Sequence, residues 1–215
     1  MDSNTTGGNN TAIGKDALQA NTTGIDNVSV GVNSLLSNTT GQRNVSIGTA
    51  SLENNDDGGY NIAVGFEALK ANLASNNIAI GKSTMEANTT GTRNLAIGYE
   101  AYVGSDTEND NVAIGYQTGH HGVSTTTGAQ NTGVGMSTLK ANTTASDNTA
   151  VGYDSLSTNI VGRNNTAVGY NASKTSNEHA NSALGAFALE DSTSGIGNTA
   201  IGYEALKENR TGSNN

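Results

Sequence analysis

Behind an asparagine, a small residue, a branched aliphatic residue and a glycine return together twelve times along this chain. The first instance is Asn10-Thr11-Ala12-Ile13-Gly14. The pentad starts again at Asn27, Asn44, Asn61, Asn77, Asn94, Asn111, Asn131, Asn148, Asn165, Asn181 and Asn198. Ten of the eleven spacings are 16 or 17 residues, and one is 20. A short fixed period marks a solenoid, in which every repeat is one supersecondary unit stacked on its neighbours.

With the asparagine numbered 1, position 3 is always small and position 4 is always Ile, Val or Leu. Position 5 is always Gly, and a later position is usually Leu, as at Leu18, Leu35, Leu52 and Leu69. Side chains alternate across a strand, so positions 2 and 4 share one face and position 3 takes the other. The branched residues at 4 fit a pleated, half-buried surface. They are the expected core: Ile13, Val30, Ile47, Val64, Ile80, Ile97, Ile114, Val134, Val151, Val168, Leu184 and Ile201. Gly at 5 predicts a positive-φ corner or a close backbone approach. Each repeat therefore reads as a strand, a glycine corner, a second short strand around Ala-Leu, and a polar turn such as Asn21-Thr22-Thr23-Gly24.

Hairpins are disfavoured, since the chain contains no Asn-Gly pair, the strongest two-residue hairpin signal. A strand-plus-helix repeat is the rival, because Asp16–Ala20 and Glu67–Ala71 are good helix formers. Those segments are about one turn long, however, and helices that short are marginal. The expected fold is all-β: a parallel β-solenoid of about twelve 17-residue coils, one array over residues 1–215. Stacked coils place Asn over Asn at position 1, giving amide ladders along the rod.

Composition sharpens this. Hydrophobic residues make up 33% of the chain and aromatic residues 4%, which alone would suit disorder; the strict phase argues otherwise. One aliphatic residue and one Leu per coil make a thin interior, so identical chains packed as a homotrimer are expected to cover the remaining apolar face. The chain has no Cys and no Pro, which removes disulfides and thiolate metal sites and suits unbroken strand pairing. Net charge is −9 and basic residues are few, so nucleic acid is not an expected partner. No apolar run is long enough to cross a bilayer as a helix, and membrane insertion is not expected. The repeat runs in phase to Asn215 without an atypical terminal cap, so a segment of a longer fibre is the expectation.

The pentad, with variants Ile78-Ala79-Ile80-Gly81 and Val112-Ala113-Ile114-Gly115, resembles the head repeats of trimeric autotransporter adhesins of the YadA-like type. The longer unit, ending in Ala-Leu-x-x-Asn-Thr-Thr-Gly, is similar to repeats in phage and giant-virus tail-fibre proteins. The resemblance spans Asn10 to Asn215 and implies a left-handed, trimeric β-roll. As a cell-surface or virion fibre it would hold a host glycan or protein receptor from outside the cell. The adhesin heads use a shorter period, which leaves coil shape and trimer contact open.

Candidate sites are few. The longest coil carries His120-His121 before Gly122–Gly128; insertions in solenoids map to loops, and histidines there could bind a ligand from several chains or simply lie exposed. Aromatic residues gather at position 6, at Phe66, Tyr99, Tyr116, Tyr153, Tyr170 and Tyr203. Such a column could grip sugar rings or merely stack. Thr-Thr pairs at Thr22, Thr39, Thr89 and Thr143 raise a monomeric ice- or glycan-binding solenoid as the alternative function. Asn-x-Ser/Thr sites, at Asn21, Asn27, Asn38, Asn44, Asn88, Asn142, Asn164 and Asn171 among others, follow from composition. No nucleophile elbow, phosphate loop or Gly-Gly-x-Gly-x-Asp calcium repeat is present. The expected role is a non-enzymatic adhesive shaft with no cofactor and no metal; a depolymerase would need an acidic pair in a groove between chains.

Overall fold

A computed structural model describes residues 3–104, 106–119 and 127–215. Twelve three-residue strands are present among them. They are β1 (Thr11–Ile13), β2 (Val28–Val30), β3 (Val45–Ile47), β4 (Ile62–Val64), β5 (Ile78–Ile80) and β6 (Leu95–Ile97). The second half continues with β7 (Val112–Ile114), β8 (Thr132–Val134), β9 (Thr149–Val151), β10 (Thr166–Val168), β11 (Ser182–Leu184) and β12 (Thr199–Ile201). They form one parallel sheet in chain order, every strand pairing with its sequence neighbours. Register is kept throughout: position 3 lies beside position 3, as in Ala63↔Ala79, even across the 20-residue spacing, where Ala113 meets Gly133. The chain is a β-solenoid, and no helix occurs among the described residues. We number the coils 1 to 12 by their strands.

The second strand around Ala-Leu does not form, and the backbone gives the reason. Positions 7 and 9 both sit in the left-handed region, as at Asp16 (φ 58°) and Leu18 (φ 50°), and the pattern recurs coil after coil. Extended pairing cannot run through alternating left-handed corners. The stacking hydrogen bonds continue nonetheless: Leu18 N–H donates to Ser34 O at 3.1 Å and Ala20 N–H to Leu36 O at 3.1 Å. Thr22 N–H donates to Thr39 O at 2.9 Å. The ladder thus runs round the whole coil, offsetting the cost of about 1–2 kcal/mol for each left-handed side-chain-bearing residue.

Gly at position 5 fills both expected roles. At Gly14 φ is 130°, and an added Cβ would lie 2.4 Å from the carbonyl oxygen of Gly31 in the next coil. The corner therefore demands the absence of a side chain twice over.

The strand faces are the reverse of the expectation. Position 3 points inward: Ala63, Ala79, Ala96, Ala150 and Ala167 are fully buried. None of the expected core at Ile13, Val30, Ile47, Val64, Ile80, Ile97, Ile114, Val134, Val151, Val168, Leu184 and Ile201 is buried; Ile13 is 60% exposed and Leu184 50%. Alternation fixes which residues share a face but not which face is inside. Here the opposite wall of the coil already brings Leu at position 9 and a small residue at position 8 into the interior. The Leu side chains at 18, 35, 52, 69, 156 and 189 are fully buried, and only Ala, Ser or Gly at position 3 leaves them room. Where position 3 becomes Ser29 or Ser46, position 8 is also Ser, and the hydroxyls bond across: Ser29 to Ser34 O at 2.8 Å, Ser34 to Ser46 Oγ at 2.8 Å.

Two columns of buried asparagine complete the interior. Asn27 receives on Oδ1 the N–H of Asn44 at 2.9 Å, while its own amide donates to Gly41 O at 2.8 Å. The second column, at position 12, runs Asn21, Asn38, Asn55, Asn72, Asn88, with amide-to-amide bonds of 2.7–3.2 Å. Towards the C-terminus that column is interrupted by Ser176 and Ser192, whose hydroxyls are buried without a hydrogen-bond partner. The apolar interior divides into two clusters, coils 1–7 and coils 8–12. Gly119 takes the Leu position at the junction, where its Cα leaves space for the Tyr102 ring; an added Cβ would stand 2.7 Å from that ring.

These columns set a stability expectation. Asn55→Ala removes bonds to Asn38, Gly58 and Asn72, and should cost about 2–4 kcal/mol from the groups left unsatisfied. The double change Ser176→Asn with Ser192→Asn supplies at these two positions the corner-closing amide that Asn142, Asn159 and Asn209 use in their own coils, and should gain about 1–2 kcal/mol. Urea denaturation midpoints check both; equal midpoints for all three proteins would refute the ladder's role.

Candidate functional site

Facing away from the Ala interior, positions 2 and 4 form the outer surface of the sheet. Position 2 is Val28, Val45, Ile62, Ile78, Leu95 and Val112 in coils 2–7, then Thr132, Thr149, Thr166, Ser182 and Thr199 in coils 8–12. No residue at either position is charged. Twelve strands at about 4.8 Å spacing make this strip roughly 53 Å long. Two columns about 7 Å apart, with side-chain radii, give it on the order of 600 Å², of which the aliphatic share is position 4 throughout and position 2 in coils 2–7.

Beyond the glycine corner runs the ring column. Tyr99 and Tyr116 stack with centroids 5.4 Å apart and planes 9° from parallel; Tyr153 and Tyr170 do so at 5.2 Å and 10°. Lys82 places its ammonium 6.0 Å from the Phe66 ring and 5.4 Å from Tyr99, bridging the gap between them. Phe187, one position further along its coil, continues the column edge-on to Tyr170 at 5.2 Å and to Tyr203 at 5.9 Å. Sugar binding of the stacking kind needs an open ring face. Within the pairs the faces look along the rod at each other, and what solvent meets is ring edge. Tyr99 with Tyr116 and Tyr153 with Tyr170 are thus brought together as stacked pairs, while Tyr203, 71% exposed, meets the column only edge-on through Phe187. A hydrogen bond to Glu100, with that carboxylate's charge, raises the Tyr99 pKa above its ordinary value.

His120 and His121 lie outside the described residues. Among the described residues no group of three or more His, Asp or Glu side chains is placed to hold a metal ion. His179, too isolated in sequence to interpret, accepts the Arg163 N–H on Nδ1 at 2.9 Å and so ties coil 10 to coil 9. The Thr-Thr pairs also have a structural use: Thr22 donates its hydroxyl to Thr39 O at 3.0 Å and Thr143 to Ile160 O at 3.2 Å. Of the eight Asn-x-Ser/Thr asparagines named above, seven are buried and Asn164 is exposed. What sequence inspection missed is the neutral outer strip itself, whose signal was the absence of any charge at position 2 or 4.

Charged residues cluster instead on the column before position 1. Arg93 grips Asp110 with two bonds, 2.6 and 2.8 Å, and Arg43 lies over the Tyr60 ring at 5.3 Å. The bond from Arg93 lowers the Asp110 pKa below the usual carboxylate range. A lowered folded-state value means the pair contributes above the unfolded pKa and is lost as pH falls through the folded one. Arg93→Gln should therefore move the Asp110 carboxyl upward in an NMR titration; an unmoved titration would show that Arg93 is not the cause.

Comparison of the chain with family models, with curated proteins and with solved structures finds no match.

Proposed function

We propose that the chain is a non-enzymatic shaft segment of a fibre, built from three identical chains that pack through the outer faces of their sheets. The observation that carries this reading is the uncharged strip on the face away from the interior, aliphatic at position 4 along the whole rod and at position 2 in coils 2–7. Left in water, a strip of that size is a liability; covered by copies, it approaches the ~800 Å² per partner of a standard interface. Net charge of −9 opposes self-association, and a contact strip free of carboxylates is the arrangement that lets like-charged copies meet.

The mechanism is mechanical and multivalent. A rod with continuous inter-coil bonding resists bending, and a trimer sets three copies of any weak site side by side, so avidity exceeds single-site affinity. The fibre role, its setting outside the cell or on a virion, and a host glycan or protein receptor are proposed on the sequence resemblance. The left-handed β-roll geometry belongs to the same proposal. The alternative, a lone ice- or glycan-binding solenoid, has less support, because Thr hydroxyls of the corner are spent on the coil ladder and the ring faces are turned to each other.

Sedimentation equilibrium tests the assembly. The chain of 21.8 kDa should sediment at three times that mass. A folded, thermally stable monomer at every concentration would overturn the proposal.

A further inference from the structure

We infer that the self-contact track is oblique: it follows positions 2 and 4 in coils 2–7 and crosses to positions 4 and 6 in coils 8–12. This rests on the self-association reading above and adds where along each coil the partner chain lies.

Two columns change character near the middle of the rod, position 6 between coils 5 and 6 and position 2 between coils 7 and 8. Position 2 is aliphatic from Val28 to Val112 and becomes Thr or Ser from Thr132 onward; from Thr149 to Thr199 these residues are exposed. Position 6 moves the other way, from mixed to mainly aromatic. Coils 1–5 carry Lys15, Val32, Thr49, Phe66 and Lys82, whereas Tyr99, Tyr116, Met136, Tyr153, Tyr170, Ala186 and Tyr203 follow. Position 4 is aliphatic throughout. Coils 6 and 7 hold both sets, so the apolar track is continuous where it shifts. Its two cations, Lys15 and Lys82, lie at position 6 in the half where that column is off the track.

The occupant is a copy of this chain. A copy of this chain repeats its ribs with the same roughly 4.8 Å step over the same length, and the uncharged track is where chains of charge −9 can approach. A track that drifts sideways along straight rods makes the partners wind about each other, as a drifting hydrophobic seam does between helices.

The chain has no cysteine, so single cysteines report contact cleanly in the full-length protein. Leu95→Cys and Tyr170→Cys lie on the track; Thr49→Cys, at position 6 in coil 3, and Thr166→Cys, at position 2 in coil 10, lie off it. Alkylation by iodoacetamide is followed at assembled and at dissociating concentrations, with circular dichroism confirming the fold of each variant. The expected result is at least tenfold slower alkylation of Leu95→Cys and Tyr170→Cys on assembly, with Thr49→Cys and Thr166→Cys within twofold. Protection of all four sites would mean a straight, wider contact and overturn the oblique track while self-association stands. Protection of none in an assembled protein would place the contact on another face and also overturn it. A wild-type chain that never assembles removes the function proposed above together with this inference.

Discussion

Inter-coil hydrogen bonding is the constraint on which the structure depends. A coil of about 17 residues has one Leu, two small apolar or hydroxyl side chains and two asparagines inside it, too little hydrophobic volume to define a unique stack. The backbone ladder and the amide columns supply what burial lacks. Asn is suited to this as no aliphatic residue is: one side chain accepts from the coil on one side and donates into a corner carbonyl, and the same geometry recurs in the next coil. Because an unmet amide in the interior is costly, a coil shifted by one residue loses several such bonds at once. The columns therefore specify register as well as stabilise it.

That constraint explains the backbone. To bring successive N–H and C=O groups parallel to the rod all the way round, each coil turns sharply at several points, and the left-handed conformation does the turning. Glycine takes the corner at position 5, where a neighbouring carbonyl fills the space of a Cβ. Leu at position 9 accepts the same handedness at a cost, since its side chain is what the interior needs there. The interior Ala follows in turn, being what fits between two walls drawn close by continuous bonding.

How much of this was legible in the sequence depends on the kind of information. Period, strand position, parallel stacking, the glycine corner and the first amide column could be read from Asn10–Gly14 and its echoes, because each follows from spacing or from a residue with one strong conformational use. The direction of the strand faces could not. Ile13 and Ala12 alternate whichever way the strand is turned, and hydrophobicity pointed to Ile as the inner residue. The decision belongs to the opposite wall, where Leu18 occupies the interior from a distance of several residues. The second amide column was hidden for a related reason: Asn21-Thr22-Thr23-Gly24 has the composition of an exposed turn, and only coil closure puts Asn21 inside. For the surface, the position 6 rings were evident, but their mutual stacking emerges only when coils are superposed at a fixed step.

The account turns on asparagine amides bonded in the buried interior, and side-chain amide exchange measures that directly. In a deuterium-exchange NMR experiment, the Nδ2 protons of Asn27, Asn38, Asn44 and Asn55 should exchange as slowly as the strand backbone. Those of Asn54 and Asn164, which face solvent, should be lost at once. Interior amides exchanging as fast as Asn54 would contradict the stacked-coil interior described here.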